Sequence, residues 1–473
     1  VMAEFEQQNE NNSEELKQAI QRFEEMLNRN KRYYFDQSIL NEIIDFYIEK
    51  DDLTKAAEAA NMGVELFPFS IESWLKKAMV LMELDKYDAA LKILDKAETM
   101  APGDTNIMLM RSDVLLMNDE FEKAVAVLQQ GLQYAEKDEK DLFYLEIADV
   151  YFEWDDLEKA FDNIVLSLQS NPGNEYALNR IWYLTEVTGR YEESLQVHTQ
   201  IIDELPFNYT AWTNLSQAYS GLDLFEKALE SCEYAIAINE NLDVAYRDAG
   251  EICISMKQFK TALEYFNKVQ TLAVPDAFVL YHMGFCYEKL KDYNNARSYY
   301  QRSIQVNRNF SDGYFQIAET YAKEGEWKKS IPYYRTASKM NENYLPYRGK
   351  LAKALLKSDY LREAGKAYAE LIEHNPRKKN WWLGLINVYI NLGKTEDAFF
   401  AYNQAISYLG NTIEFDYLSV VIFWMNGQQS AALLALEGAL IENKKKYKLM
   451  FEFFPDLIHE PKIKKILVNY LKK

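Results

Sequence analysis

Glycine and proline are scarce in this 473-residue chain, at 17 and 10 residues. That argues against an all-β fold, which needs many tight turns, and favours helix. Cysteine is scarcer still. Cys232, Cys253 and Cys286 form no CxxC pair and are odd in number, so no disulfide framework is expected and a reducing, cytoplasmic setting is. No apolar run approaches the ~18 residues that a membrane-spanning helix requires. The leading stretch VMAEFEQQNENNSEELKQ is polar and acidic and has no apolar signal core, so secretion is not expected. The four histidines, His198, His282, His374 and His459, occupy unrelated positions without HExxH-type spacing. No metal and no cofactor are expected.

The chain is otherwise rich. Hydrophobic residues make up 48% and charged residues 27%, the balance of a folded domain. The net charge of −20 is unevenly spread: residues 1–240 carry 48 acids against 20 bases, and residues 241–473 carry 25 against 33. A front half at −28 repels phosphate backbones, so nucleic acid is not an expected partner. The basic run Lys444–Lys448, with Lys462, Lys464, Lys465, Lys472 and Lys473, reads as a solvated face of terminal helices.

FEKA occurs at 121–124 and again at 225–228, with LEKA at 157–160. These belong to a longer series. A small residue recurs at Ala56, Ala90, Ala124, Ala160, Ser194, Ala228, Ala262, Ala296, Ser330, Ala364, Ala398 and Ala432, every step being 34 except the 36 between Ala124 and Ala160. The charged stretch 136–141 is the expected place for the two extra residues, because a loop between repeats accepts them at little entropic cost. Three positions earlier stands a large residue, from Leu53 to Leu361, failing only at Thr395 and Gln429. Large and small residues three apart share a helix face, and the small one lets a neighbouring helix come close. A further column, Tyr47, Tyr151, Tyr219, Tyr287, Tyr321 and Tyr389, ends the preceding helical pattern. Proline follows the second helix at Pro68, Pro102, Pro172, Pro206 and Pro376, where it cannot continue it. Each unit reads helix A, turn, helix B, break.

This pattern resembles the tetratricopeptide repeat (TPR) family, with about twelve tandem copies. Repeat eight carries Leu280, Met283, Gly284, Tyr287, Ala296 and Tyr300, and repeat six Trp212, Leu215, Tyr219, Ala228 and Ala235. The resemblance implies an all-α fold, a right-handed α-α superhelix of antiparallel helix pairs with helix A lining a concave groove. Repeats are expected over 37–442, between an N-terminal polar segment and capping helix (1–36, the helix over 13–30) and basic C-terminal capping helices (443–473). No segment remains for a separate catalytic domain, so no enzyme is expected. Gly393–Thr395 is the tripeptide GKT, but Val388 stands where a phosphate loop needs glycine. It reads as an A–B turn.

Carried over from the family, positions 2, 5, 9 and 12 of helix A face the groove, with position 1 at residue 37. In repeats one to four this gives an apolar floor of Leu75, Met79, Met82, Leu109, Leu116, Leu142, Leu145 and Phe152, with Asp45, Asp113 and Asp149 at position 9. Such a strip suits a basic amphipathic partner, and cover by neighbouring repeats or by the N-terminal helix is the competing expectation. Repeats five to seven present Tyr176, Asn179, Tyr183, Thr210, Thr213, Asn214, Gln217, Arg247 and Glu251, groups able to hydrogen-bond an extended peptide. Phe278, Tyr281, Phe285 and Phe315 form an expected aromatic contact patch in repeats eight and nine. No repeat pairs the Lys and Asn that the family uses to clamp a C-terminal carboxylate. The expected function is a non-catalytic scaffold or adaptor binding a protein or peptide partner. A regulatory subunit whose superhelix pitch responds to a peptide or small ligand is the alternative.

Overall fold

The chain makes the same turn twelve times. Between the two helices of each repeat one residue adopts left-handed backbone geometry: Asp51, Asp85, Asp119, Asp155, Gly189, Asp223, Lys257, Lys291, Gly325, Asp359, Gly393 and Gly427. The column keeps the period of the sequence repeat, including the single longer step. It closes helix A because the next amide turns back to a carbonyl five residues earlier, as in Asp52 N–H to Tyr47 O (2.9 Å), Asp292 to Tyr287 (2.9 Å) and Lys394 to Tyr389 (2.9 Å). The tyrosine column thus marks the last carbonyls of helix A. The GKT tripeptide is such a turn, with Gly393 at φ 67°.

A computed structural model describes residues 2–29 and 33–471, with side chains for 14–28 and 33–471. Among these residues there are 27 α-helices, two short 3-10 segments and no strand. Twelve helix pairs run from Gln37–Glu49 and Leu53–Leu66 in repeat one to Ile413–Met425 and Gln429–Asn443 in repeat twelve, an α-α solenoid. All twelve small residues of the Ala/Ser column are at most 1% exposed, so each is the contact that lets helix B lie against its neighbours. The extra two residues are divided. The link between Tyr134 and Lys140 has five residues where Leu66 to Ile71 has four, and helix A of repeat four (Lys140–Glu153) has 14 residues against 13 before it. The expected purely loop insertion is corrected: one residue lengthens a helix, which conceals it from a search for polar loop composition.

Proline and tryptophan tie consecutive repeats in a second way. The indole N–H of Trp74, Trp212 and Trp382, each at position 4 of helix A, donates to the carbonyl of Pro68, Pro206 and Pro376 at 2.8–2.9 Å. Proline ends one helix and its carbonyl orients the next.

Packing divides the chain into two compact units, residues 1–252 and 253–473. In the first, hydrophobic clusters succeed one another repeat by repeat. The helix Met2–Arg29 begins well before the expected residue 13, and its Phe23 is buried against Phe35 and Tyr47; residue 30 of that expected helix lies outside the described residues. In the second unit one large cluster extends from Ala318 to Ile463, taking in Met450 and Leu457 of the short helical segments after repeat twelve.

Candidate partner-binding groove

In the first unit, helix A of repeats five (Glu175–Thr188), six (Tyr209–Gly221) and seven (Asp243–Ser255) borders a cavity of about 800 Å³. Asn179, Thr210, Thr213, Gln217, Arg247 and Glu251 all line it, as the family register implies, and so does Asn214, expected at the groove although it stands one place off that register. Trp182, Thr185, Tyr191 and Asp248 line it too and lay outside that register. Asp248 is at position 6, the same position as Asn214, so a register widened by one place would have found it. Tyr191 comes from the start of helix B (Tyr191–Glu204), which a reading confined to helix A cannot reach.

The polar groups here are partly committed. Asn214 is buried, and its amide donates to the Leu178 carbonyl (2.7 Å), tying repeat six to repeat five. It supports the wall and is not the free donor expected. Thr213 Oγ1 donates to the Tyr209 carbonyl within its own helix (2.9 Å). Gln217 Nε2 donates to Asp248 Oδ2 (3.1 Å). Because a carboxylate must face the amide nitrogen, the assignment of the Gln217 amide is fixed by chemistry. Its Oε1 is then left buried without a donor among the described residues. Burial pushes the Asp248 carboxyl up to about 6, against the pull of the Gln217 hydrogen bond and the Arg247 charge.

Next along the groove, repeats four and five enclose a smaller cavity of about 300 Å³. Its walls are Ala148, Phe152, Ile164, Tyr183 and Leu184, with Asp149, Asn179 and Arg180 at its polar side. Phe152 and Tyr183 meet edge to face at 5.9 Å, and the Arg180 guanidinium lies 5.9 Å from the Phe152 ring centre. Tyr176 is 76% exposed and borders neither cavity. The position-9 aspartates differ in state. Asp45 is paired with Lys76 (2.5 Å), Asp149 faces Arg180 (2.5 Å), and burial pushes the Asp113 carboxyl up to about 6. Of the apolar floor, Leu75 and Met82 pack against one core cluster, Leu109 and Leu116 against another, and Leu145 is buried.

In the second unit the aromatic patch is half-buried, with its rings packed on neighbouring helices. Tyr281 packs on Tyr300 (5.4 Å) and Phe310 (5.1 Å) and accepts a bond from Gln316. Phe315 stacks on Tyr347 at 4.6 Å, and Phe285 meets Phe259 at 6.2 Å. Only Phe278, at 46%, is well exposed. Tyr281, Phe285 and Phe315 thus pack between helices while keeping part of each ring exposed, and Phe278 is the open member of the patch.

The other chemistry-bearing residues are similarly occupied. The three cysteines are buried. Ser194 Oγ lies 3.4 Å from His198 Nδ1, a serine–histidine contact, but that ring nitrogen is 2.7 Å from the Ser194 carbonyl. Facing a carbonyl it must carry the proton and donate, so it cannot take one from the hydroxyl. Burial also pulls the His198 pKa down to about 4. Among the described residues no group of three potential ligands could hold a metal, and no helix is long and apolar enough to cross a membrane.

Comparison with known proteins agrees with this geometry. Family models described as tetratricopeptide repeat match residues 81–160, 209–242, 277–310, 311–344 and 350–410. The TPR repeat-containing protein MJ1428 of Methanocaldococcus jannaschii is 22% identical over 406 residues, 79% of this chain and 68% of that protein. BBSome complex member BBS4 of Bos taurus is 21% identical over 54% of this chain, which spans 48% of that relative. Among solved structures, the APC/C hetero-tetramer Cut9-Hcn1 aligns over 89% of this chain and 93% of its own, at 12% identity and TM-score 0.37. YrrB, described as a TPR protein with an unusual peptide-binding site, aligns over 39% and 95%, at 19% identity and TM-score 0.35. With the 34-residue period, the buried alanine column and the repeated A–B turn, the family-model matches place the chain in the tetratricopeptide repeat family.

Proposed function

We propose that this protein is a non-catalytic scaffold whose groove in repeats four to seven takes an extended segment of a protein or peptide partner. The observation that carries this reading is the large cavity lined by Gln217, whose carbonyl oxygen is buried and without a donor among the described residues. A buried acceptor left unsatisfied costs about 1–3 kcal/mol. Because this oxygen is shielded from solvent, a backbone N–H of a bound segment recovers that cost only with a shift of the Gln217 side chain into the cavity. Hydroxyls and amides around it serve backbone groups of any sequence. The Ser194–His198 pair, the nearest approach to a nucleophile and base, has its imidazole proton on the wrong nitrogen for that chemistry.

The test is selection of short random peptides by display against the full chain. Selected peptides are expected to bind the wild type and to lose about tenfold in affinity on Gln217→Ala, with a cooperative melt showing that the fold survives loss of the bond to Asp248. Peptides indifferent to Gln217→Ala, or no selected binder at all, would overturn the groove reading.

A further inference from the structure

The smaller cavity differs in kind from its neighbour. Its walls are two aromatic rings and aliphatic groups, and it adjoins the amide-lined cavity through the shared Asn179. An extended chain lying along helix A of repeats five to seven therefore reaches this slot at its end. Ala148, Ile164 and Leu184 are buried, while Tyr183 is 43% exposed, so the slot opens to the groove and not to the core. At about 300 Å³ it has room for one leucine, isoleucine or aromatic side chain.

The polar side of the slot is short of positive charge. Asp149 lines the slot with the Arg180 guanidinium set against it, and Glu146, about one turn earlier on the same helix, stands within electrostatic reach of Asp149 and of Asp113. Burial pushes the Glu146 carboxyl up to about 7, with Asp113 and Asp149 adding to the rise and Arg180 opposing it. Asp113 and Asp149 are raised by burial as well. Glu146 and Asp149 share the Arg180 guanidinium while Asp113 adds its charge against Glu146, in the half of the chain that carries −28. A second cation would relieve the repulsion among them.

We infer that the slot bounded by Phe152, Ile164, Tyr183 and Leu184 anchors one apolar side chain of the bound segment, and that Asp113, Glu146 and Asp149 pair with a neighbouring lysine or arginine of it. The partner is thus a basic, apolar peptide segment. This rests on the groove reading above and adds its specificity. The charge complementarity identifies the occupant: a neutral or acidic segment in the slot would leave the carboxylates unpaired beside low-dielectric walls.

The same display selection tests it. Enriched peptides are expected to share an apolar residue next to lysine or arginine. Tyr183→Ala, at an exposed wall, should weaken them about tenfold. Asp113→Asn with Glu146→Gln should remove the preference for lysine or arginine while peptides still depend on Gln217. Melting temperatures of both variants establish that the fold is kept. Peptides that depend on Gln217 but lack the apolar–basic pair, or that bind both variants as tightly as wild type, overturn this inference and leave the groove reading standing. Loss of all dependence on Gln217 overturns both.

Discussion

At the residue scale, the left-handed turn position decides more than its small side chains suggest. Eight of the twelve positions are held by residues with a Cβ, six Asp and two Lys. Aspartate tolerates this geometry through local hydrogen bonding, whereas lysine has no such relief. Lys257 and Lys291, at φ 61° and 63°, are therefore the strained members of the column. Lys291→Gly is expected to raise stability by roughly 0.5–1 kcal/mol, the left-handed penalty less the greater chain entropy glycine brings to the unfolded state. Chemical denaturation of the single variant measures it, and a loss of stability would show that the Lys291 side chain contributes packing that outweighs the strain. The opposite case is Gly221, where a Cβ would lie 2.2 Å from the Tyr191 ring. There the absence of a side chain is what lets the tyrosine stand at the cavity wall.

At the scale of helices, the carboxylates of repeats three and four link packing to pH. Glu146 has a folded pKa near 7 against an ordinary value of 4.5. The folded state thus holds the proton more tightly, and between these values it binds more protons than the unfolded state. Stability from this group is full below about pH 4.5 and declines as pH rises through 7. Glu146→Gln is expected to be on the order of 2 kcal/mol more stable than wild type at pH 7.5 and equal to it at pH 4. Urea melts at the two pH values decide this; a difference independent of pH would assign the effect to packing. The same helices show what could and could not be read beforehand. The period of 34 and the alanine column located every A–B pair because each repeat buries the same face. The commitments of Asp45 to Lys76, Asn214 to the Leu178 carbonyl and Asp149 to Arg180 were hidden, since each joins groups of adjacent repeats. Pattern within one repeat gives the direction of a side chain but not the reach of its neighbour's. The ring contacts of repeats eight and nine were hidden for a related reason: Tyr281 and Phe315 sit at groove positions, yet their rings reach Tyr300 and Tyr347 on neighbouring helices.

At the scale of the whole molecule, the uneven charge governs encounter more than final affinity. Surface carboxylates act over about 10 Å at 0.1 M salt and about 3 Å at 1 M. Association of a selected basic peptide should therefore slow steeply as salt rises, while dissociation changes little. Stopped-flow association rates across a salt series check this, and Asp113→Asn with Glu146→Gln should flatten the slope. A rate indifferent to salt would mean that the front-half charge plays no part in recruitment. The family and the helix order were legible in the sequence because a solenoid repeats one local solution. The two cavities were not, because each depends on side chains from adjacent repeats whose spacing is a property of stacking.

The proline–tryptophan ties give the molecule an optical readout. Indole emission shifts when its N–H loses an ordered acceptor to water. Trp74 and Trp212 are held in this way in the first unit and Trp382 in the second. Variants retaining one of these tryptophans at a time would show, from emission colour alone, which repeat frays first on heating and which is quieted when a peptide is bound. A solenoid whose stability is a sum of neighbouring contacts would then be followed as a local melting profile and not as a single transition.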